Sequence, residues 1–207
     1  MAANYVITIS RQHGSCGNKI GKMTADRLGI PFYDYKLIRM ASDRSGISEH
    51  LFGAADEDVH RMKLFNAANK VYTGKLLPPD SDEFTSDLNL FTFQAEIIKE
   101  LAGNESCVIV GRCSDYILRD RTDVLNTFFH ADNEFRADRI VKLYGETLDK
   151  PAKRLKEKDD KRRTYYRHYT GRVWGAASNY DVTLDSGRIG VEHCADIVVG
   201  IAAELNK

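Results

Sequence analysis

The sequence predicts an α/β fold, a five-stranded parallel sheet with helices on both faces. Two observations carry that expectation. Short runs that are almost uniformly apolar recur along the chain, as strands buried on both faces require. Between several of them, apolar residues recur at helical spacing, and strands alternating with helices build a parallel sheet. A length of 207 residues, 43% of them apolar, suits one such domain with excursions and a substantial core.

Tyr5–Ile9 is the first strand. Ile20, Met23 and Leu28 then share one helical face, and Gly29 ends that pattern. Pro31–Tyr33 is a weaker strand. Ile97, Ile98 and Leu101 mark a helix leading to the strand Cys107–Val110. Leu125–His130 and Asp181–Leu184 complete the set. After the turn Ser186-Gly187 comes a last helix, striped by Val191, Cys194, Ala195, Val198 and Ala202. Two stretches break the rhythm. Residues 35 to about 90 hold no clear strand and include the acidic, Pro-containing segment Leu77–Glu83, whereas residues 150–172 read as a basic helix rich in tyrosine.

Composition narrows the function classes. Lys+Arg and Asp+Glu are 30 each, a net charge of zero, which argues against bulk nucleic-acid binding or electrostatic membrane attachment. No stretch approaches the ~18 apolar residues of a membrane span, and the first residues lack a leader pattern. The four cysteines (Cys16, Cys107, Cys113, Cys194) form no CxxC pair, and the six histidines show no metal-ligand spacing. The thiols read as reduced, in a cytoplasmic protein without a protein-held metal centre. Any binding charge must be local.

In parallel sheets ligands collect where strands end and loops lead into helices. After the first strand, Ser10-Arg11-Gln12-His13-Gly14-Ser15-Cys16-Gly17-Asn18-Lys19 reads as strand, tight turn and helix. Gly14 and Gly17 let successive backbone N–H groups point into one concavity, and the helix start adds its positive end. Such a place suits a phosphate, with an ordinary strand-to-helix turn as the alternative. The common phosphate-loop pattern G-x-x-x-x-G-K-[ST] is absent, because no Gly-Lys-Ser/Thr follows Gly14 at the required spacing. Lys19 and Arg11 are the two candidates for the missing positive charge. His13 reads as a turn residue.

Several segments, in chain order, resemble the cytidylate kinase-like family of P-loop nucleoside monophosphate kinases. They are the glycine turn; Leu28-Gly29-Ile30-Pro31-Phe32-Tyr33-Asp34; Val108-Ile109-Val110-Gly111-Arg112; Phe129-His130-Ala131 with Phe135-Arg136-Ala137-Asp138-Arg139; and Tyr180–Ser186. They span nearly the whole chain. The resemblance implies a single domain, 1–207, with a core of 1–34, 91–149 and 179–207. It implies a monophosphate-binding insertion at 35–90 and a basic lid at 150–178. On the family's loop, Gly17 takes the position of the phosphate-binding lysine and Asn18 a position that helps hold magnesium. Donor-phosphate contacts then fall to Arg11, Gly14, Ser15, Cys16, Gly17, Asn18 and Lys19. Arg112 matches the arginine that contacts the monophosphate, and Arg39 lies one residue from the register of another.

Residues 150–172 carry ten Lys/Arg against three Asp/Glu. A solvated helix with i,i+4 pairs is one reading; a lid over phosphates is the other, since arginines stabilise the charge spread by phosphoryl transfer. The family's lid signature E-R-D-x-x-D-x-x-R meets Glu157-Lys158-Asp159, then Arg162 and Tyr165. Arg162, Arg163 and Arg167, with Lys19, are the candidate catalytic cations. Arg112 ends a strand where ligands bind, with a buried ion pair as the alternative. Asp34 ends the second strand and either orients substrate, holds a magnesium-bound water or caps the next helix. Arg136 and Arg139 read as surface residues. Tyr165, Tyr166, Tyr169 and Trp174 read as packing of the lid on the core more than as a base platform.

The expected function is transfer of the γ-phosphate of ATP, with Mg2+, to a nucleoside monophosphate. The partners would be small-molecule nucleotides, without nucleic acid or membrane. A non-catalytic nucleotide or phosphometabolite sensor and a kinase for another small acceptor are the rival expectations.

Overall fold

The computed structural model describes residues 4–57, 74–144 and 151–205. Five strands, β1 (Val6–Arg11), β2 (Phe32–Tyr33), β3 (Cys107–Val110), β4 (Val124–His130) and β5 (Val182–Asp185), form one sheet. Their order is β2-β3-β1-β4-β5 and every pairing is parallel. The predicted strands are recovered within one or two residues at each end. The difference that matters is β1, which runs on to Arg11, so this side chain leaves the sheet rather than the turn.

The sheet is buried on both faces, and β3 shows why its sequence is apolar throughout. Cys107 and Ile109 enter one core cluster, Val108 and Val110 the other, because successive strand side chains point to opposite faces. One face is covered by α1 (Gly17–Leu28) and α9 (Val191–Leu205), which bring Ile20, Ala25, Cys194, Ala195, Val198 and Ala202. The other is covered by α2 (Lys36–Ser45), α3 (Glu49–Glu57) and α4 (Asp87–Asn104). The Ser86 hydroxyl caps α4 by accepting the Asn89 N–H. Gly29 ends α1 in the left-handed conformation, as its place in the sequence predicts.

The insertion expected at 35–90 holds α2, α3 and the first turn of α4; its residues 58–73 lie outside the described residues. The basic stretch is one helix, α7 (Pro151–Thr170), with Lys150 outside the described residues. Short α5 (Ser114–Ile117) follows β3, α6 (Asn133–Tyr144) follows β4, and α8 (Ser186–Ile189) follows β5. No described helix is long and apolar enough to cross a membrane.

Candidate functional site

The turn after β1 is held by its own backbone and by β4. Gln12 donates its N–H to the Phe129 carbonyl at 2.9 Å, and the fully buried Ser15 hydroxyl lies 2.9 Å from the Gln12 carbonyl and 3.1 Å from that of Phe129. Gly14 takes φ +82°, and a Cβ there would stand 2.8 Å from the Arg136 carbonyl oxygen. Cys16 takes φ +61° without being glycine, a strained conformation of the kind that functional loops keep. The first bond of α1 is Ile20 N–H to Cys16 O, so the amides of Gly17, Asn18 and Lys19 have no helical acceptor. They face the positive end of a 12-residue helix, beside a cavity of about 260 Å³ whose rim includes Lys19, Arg139 and Leu143. A phosphate fits this donor set.

Arg11 crosses over that turn. A Cβ on Gly17 would meet the Arg11 Cβ at 2.5 Å and its Cγ at 2.9 Å; one on Gly111 would meet a terminal guanidinium nitrogen of Arg11 at 2.6 Å. Gly17 therefore clears the stem and Gly111 the head. Where the family's lysine would begin, glycine leaves room for an arginine from the strand. Burial, with the nearby guanidiniums of Arg162 and Arg112, presses the Arg11 pKa well below its ordinary value, and Asp34 opposes them. Cations held this close favour an anion among them.

A larger open cleft of about 1190 Å³ lies on the other side of Arg11. Asp34, Tyr35, Arg112, Tyr165 and Trp174 line it. The Asn18 amide donates to the Asp34 carboxylate at 3.2 Å, and the residue capping α2 is Tyr35, without a side-chain cap. Arg112 lies against Tyr165; burial lowers its pKa and Tyr165 raises it. The two cavities share three residues, Arg11, Asn18 and Arg162.

The predicted residues divide accordingly. Arg11, Asn18, Asp34, Arg112 and Arg162 come together, with Gly14, Cys16, Gly17 and Lys19 at the smaller cavity and Ser15 buried beneath it. Arg39 is exposed and lines neither cavity, because α2 buries Leu37, Ile38 and Ala41 instead. Arg163 is exposed, paired with Asp160 and 6.0 Å from the Trp174 ring centre; Arg167 is also exposed. Neither lines a cavity. Lys19 stands exposed on the outer rim, away from the junction.

Residues the sequence reading passed over complete the arrangement. Arg136 is 6% exposed, not a surface residue, and forms a buried ion pair with Asp159 of α7 at 2.5 Å. Asp159 also accepts the His13 N–H at 2.7 Å, and Arg136 reaches the His13 carbonyl at 3.2 Å. Helix α7 is thereby strapped to the glycine turn. Burial, helped by Arg162, lowers the His13 pKa to about 4, so the ring is neutral at pH 7. Arg162 donates to the Arg11 carbonyl at 3.0 Å. A signal for this face was in the sequence: Leu155, Asp159, Arg162, Tyr166 and Tyr169 recur at three- and four-residue spacing. Its polar members hid it from a search for apolar stripes.

A model of the cytidylate kinase-like family matches residues 6–188. No curated protein matches the chain. Among solved structures, an uncharacterized protein from Eubacterium ventriosum superposes with TM-score 0.70 at 22% identity, over 97% of this chain and 99% of that one. A shikimate kinase from Acinetobacter baumannii in complex with shikimate gives 0.53 at 12% identity, covering 98% and 95%. A gluconokinase from Sinorhizobium meliloti gives 0.53 at 16%, covering 100% and 95%. At these identities the likeness is one of fold, the P-loop kinase type.

Proposed function

The chain belongs to the cytidylate kinase-like family, and from that premise we propose that it moves the γ-phosphoryl group of ATP to a nucleoside monophosphate. Family and fold support the coarser statement, a phosphotransferase of small substrates. The finer reading rests chiefly on one observation: the cavity over the glycine turn and the larger cleft meet at Arg11, Asn18 and Arg162. A phosphoryl group passing between the two would cross there.

The free amides of Gly17, Asn18 and Lys19 would hold the donor phosphates, and Arg112 the phosphate of the acceptor. In transfer, an acceptor phosphate oxygen bonds to the γ-phosphorus while the bond to the β–γ bridging oxygen breaks, leaving ADP. Charge spreads over the γ-oxygens, where Arg11 and Arg162 would offset it by electrostatics and alignment rather than covalent chemistry. Arg11 thus takes the part of the absent loop lysine. Among the described residues no cluster of three or more His, Cys, Asp or Glu gathers. The Asn18–Asp34 pair nevertheless suits magnesium, which binds through one or two carboxylates, water and phosphate oxygens. Magnesium, when bound, neutralises charge on the donor phosphates.

The test is ADP formation from ATP and magnesium with a panel of nucleoside monophosphates, and with shikimate and gluconate as controls for another acceptor. Turnover with a monophosphate is expected. Nucleotide binding without turnover of any acceptor would refute the reading and leave a sensor.

A further inference from the structure

Beside the cleft the lid helix is gripped by a buried polar contact that the phosphate chemistry does not use. After β3 the chain makes three successive left-handed residues, Gly111, Arg112 and Cys113, at φ +76°, +60° and +54°. Two are not glycine, and each such residue costs on the order of 1–3 kcal/mol unless its surroundings hold it. The turn aims Arg112 at the cleft and delivers Asp115 into the interior, where it is 3% exposed. One Asp115 carboxylate oxygen accepts the Tyr166 hydroxyl of α7 at 2.6 Å, while the other has no protein partner. Tyr166 is itself 3% exposed. Arg172, Tyr180 and Cys113 also stand near this pair.

Packing alone does not call for these atoms. A phenyl ring would fill the Tyr166 site, and burying a carboxylate costs free energy that a hydrophobic pair would not. The pair adds a further polar hold on the rotation of α7, beside Asp159 on Arg136 and His13 and the Tyr169 hydroxyl on the Asp87 carbonyl. Tyr165 lies against Arg112, Tyr166 holds Asp115, and one turn earlier Arg162 reaches the Arg11 carbonyl at 3.0 Å. Residues four apart share a helix side. A rotation of α7 would therefore carry Arg162 away from the junction.

We propose that Asp115 is a positioning residue that, through the Tyr166 hydroxyl, fixes the lid helix so that Arg162 stands between the two cavities. The part played by Arg162 rests on the phosphotransferase reading; the clasp itself does not. Tyr166→Phe keeps the ring and deletes the grip. Turnover is expected to fall by as much as ~10²-fold, since a misplacement of about 1 Å can cost that much, with the KM for ATP nearly unchanged. Asp115→Asn, whose amide oxygen still accepts the Tyr166 O–H, is expected to stay within about threefold. In an Arg162→Ala background, Tyr166→Phe should cost nothing further, which a merely structural role would not produce. Full activity in Tyr166→Phe, a loss in Asp115→Asn as deep as that of Tyr166→Phe, or losses that multiply in the double variant would overturn the proposal. Amide hydrogen exchange in the free protein needs no acceptor. Tyr166→Phe should hasten exchange across 158–166 and leave the sheet unchanged, and wild-type exchange there would also overturn it. If the wild type turns over nothing, it is the phosphotransferase reading that fails, and the exchange measurement alone decides the clasp.

Discussion

The end of β1 and the basic helix α7 both bring an arginine to the junction of the two cavities, by opposite means. The end of β1 carries one arginine, and two glycines clear its path. The segment 151–172 is crowded with cations, yet of its basic residues only Lys158, Lys161 and Arg162 line the cleft. What singles out Arg162 is not charge but its helix face, which carries the buried Leu155, Asp159, Tyr166 and Tyr169. Excess charge locates a segment; tethering chooses the residue. That agrees with the small worth of exposed pairs such as Lys156–Asp160 and Lys153–Glu157.

The contrast breaks first at Arg11. Arg11→Met is expected to lower turnover by ~10³-fold, the scale of losing an arginine at the transferring phosphoryl group. Lys19→Ala should stay within about tenfold, the scale of an exposed phosphate contact. Steady-state rates with ATP and the accepted substrate decide it; the reverse order would make Lys19 the substitute for the loop lysine. The strap comes next. Asp159→Ala strands a buried guanidinium and should destabilise the fold by about 3 kcal/mol, read from denaturant midpoints. Loss of the exposed Arg163 should leave the midpoint unmoved.

Gly17→Ala sharpens the comparison by striking the stem of Arg11, with the Phe129 ring next nearest at 3.4 Å. Its Cβ would stand 2.5 Å from the Arg11 Cβ, which is fixed to the β1 backbone, so a fall of ~10²-fold in kcat is expected together with a lower melting temperature. Gly46→Ala, with nothing within 4 Å of its Cβ, should leave kcat alone and cost about 1 kcal/mol through its φ of +70°. His13 adds an effect that depends on pH. Its folded pKa is about 4 against an ordinary 6.5, so between these values the unfolded chain binds more protons. Stability should be complete above pH 6.5 and decline as pH falls toward 4. In urea titrations at pH 7 and pH 5, His13→Gln should lose less than the wild type.

The strand positions were legible in the sequence because burial on both faces writes itself into consecutive residues: Cys107–Val110 is apolar residue by residue and is β3 without correction. The glycine turn was equally legible, since Gly14 and Gly17 lie within a few residues of the helix they begin. The basic helix at 151–170 was legible, though not which of its arginines turns inward. Arg163 and Arg167 have the same chemistry as Arg162 and differ from it only in azimuth.

By itself, then, the sequence determined the chain order of the strands, the position of the glycine turn and the absence of a Gly-Lys-Ser/Thr run in it. Those are properties of neighbouring residues, decided by local sterics and by which side chains leave water. Only the tertiary structure decided that the Arg11 side chain passes over Gly17 to Gly111, that Arg136 is buried and that Arg39 stays outside both cavities. Each depends on atoms brought together from distant parts of the chain. Gly17 and Gly111 lie 94 residues apart in the sequence, and the two meet along one arginine side chain only because β1 and β3 pair side by side.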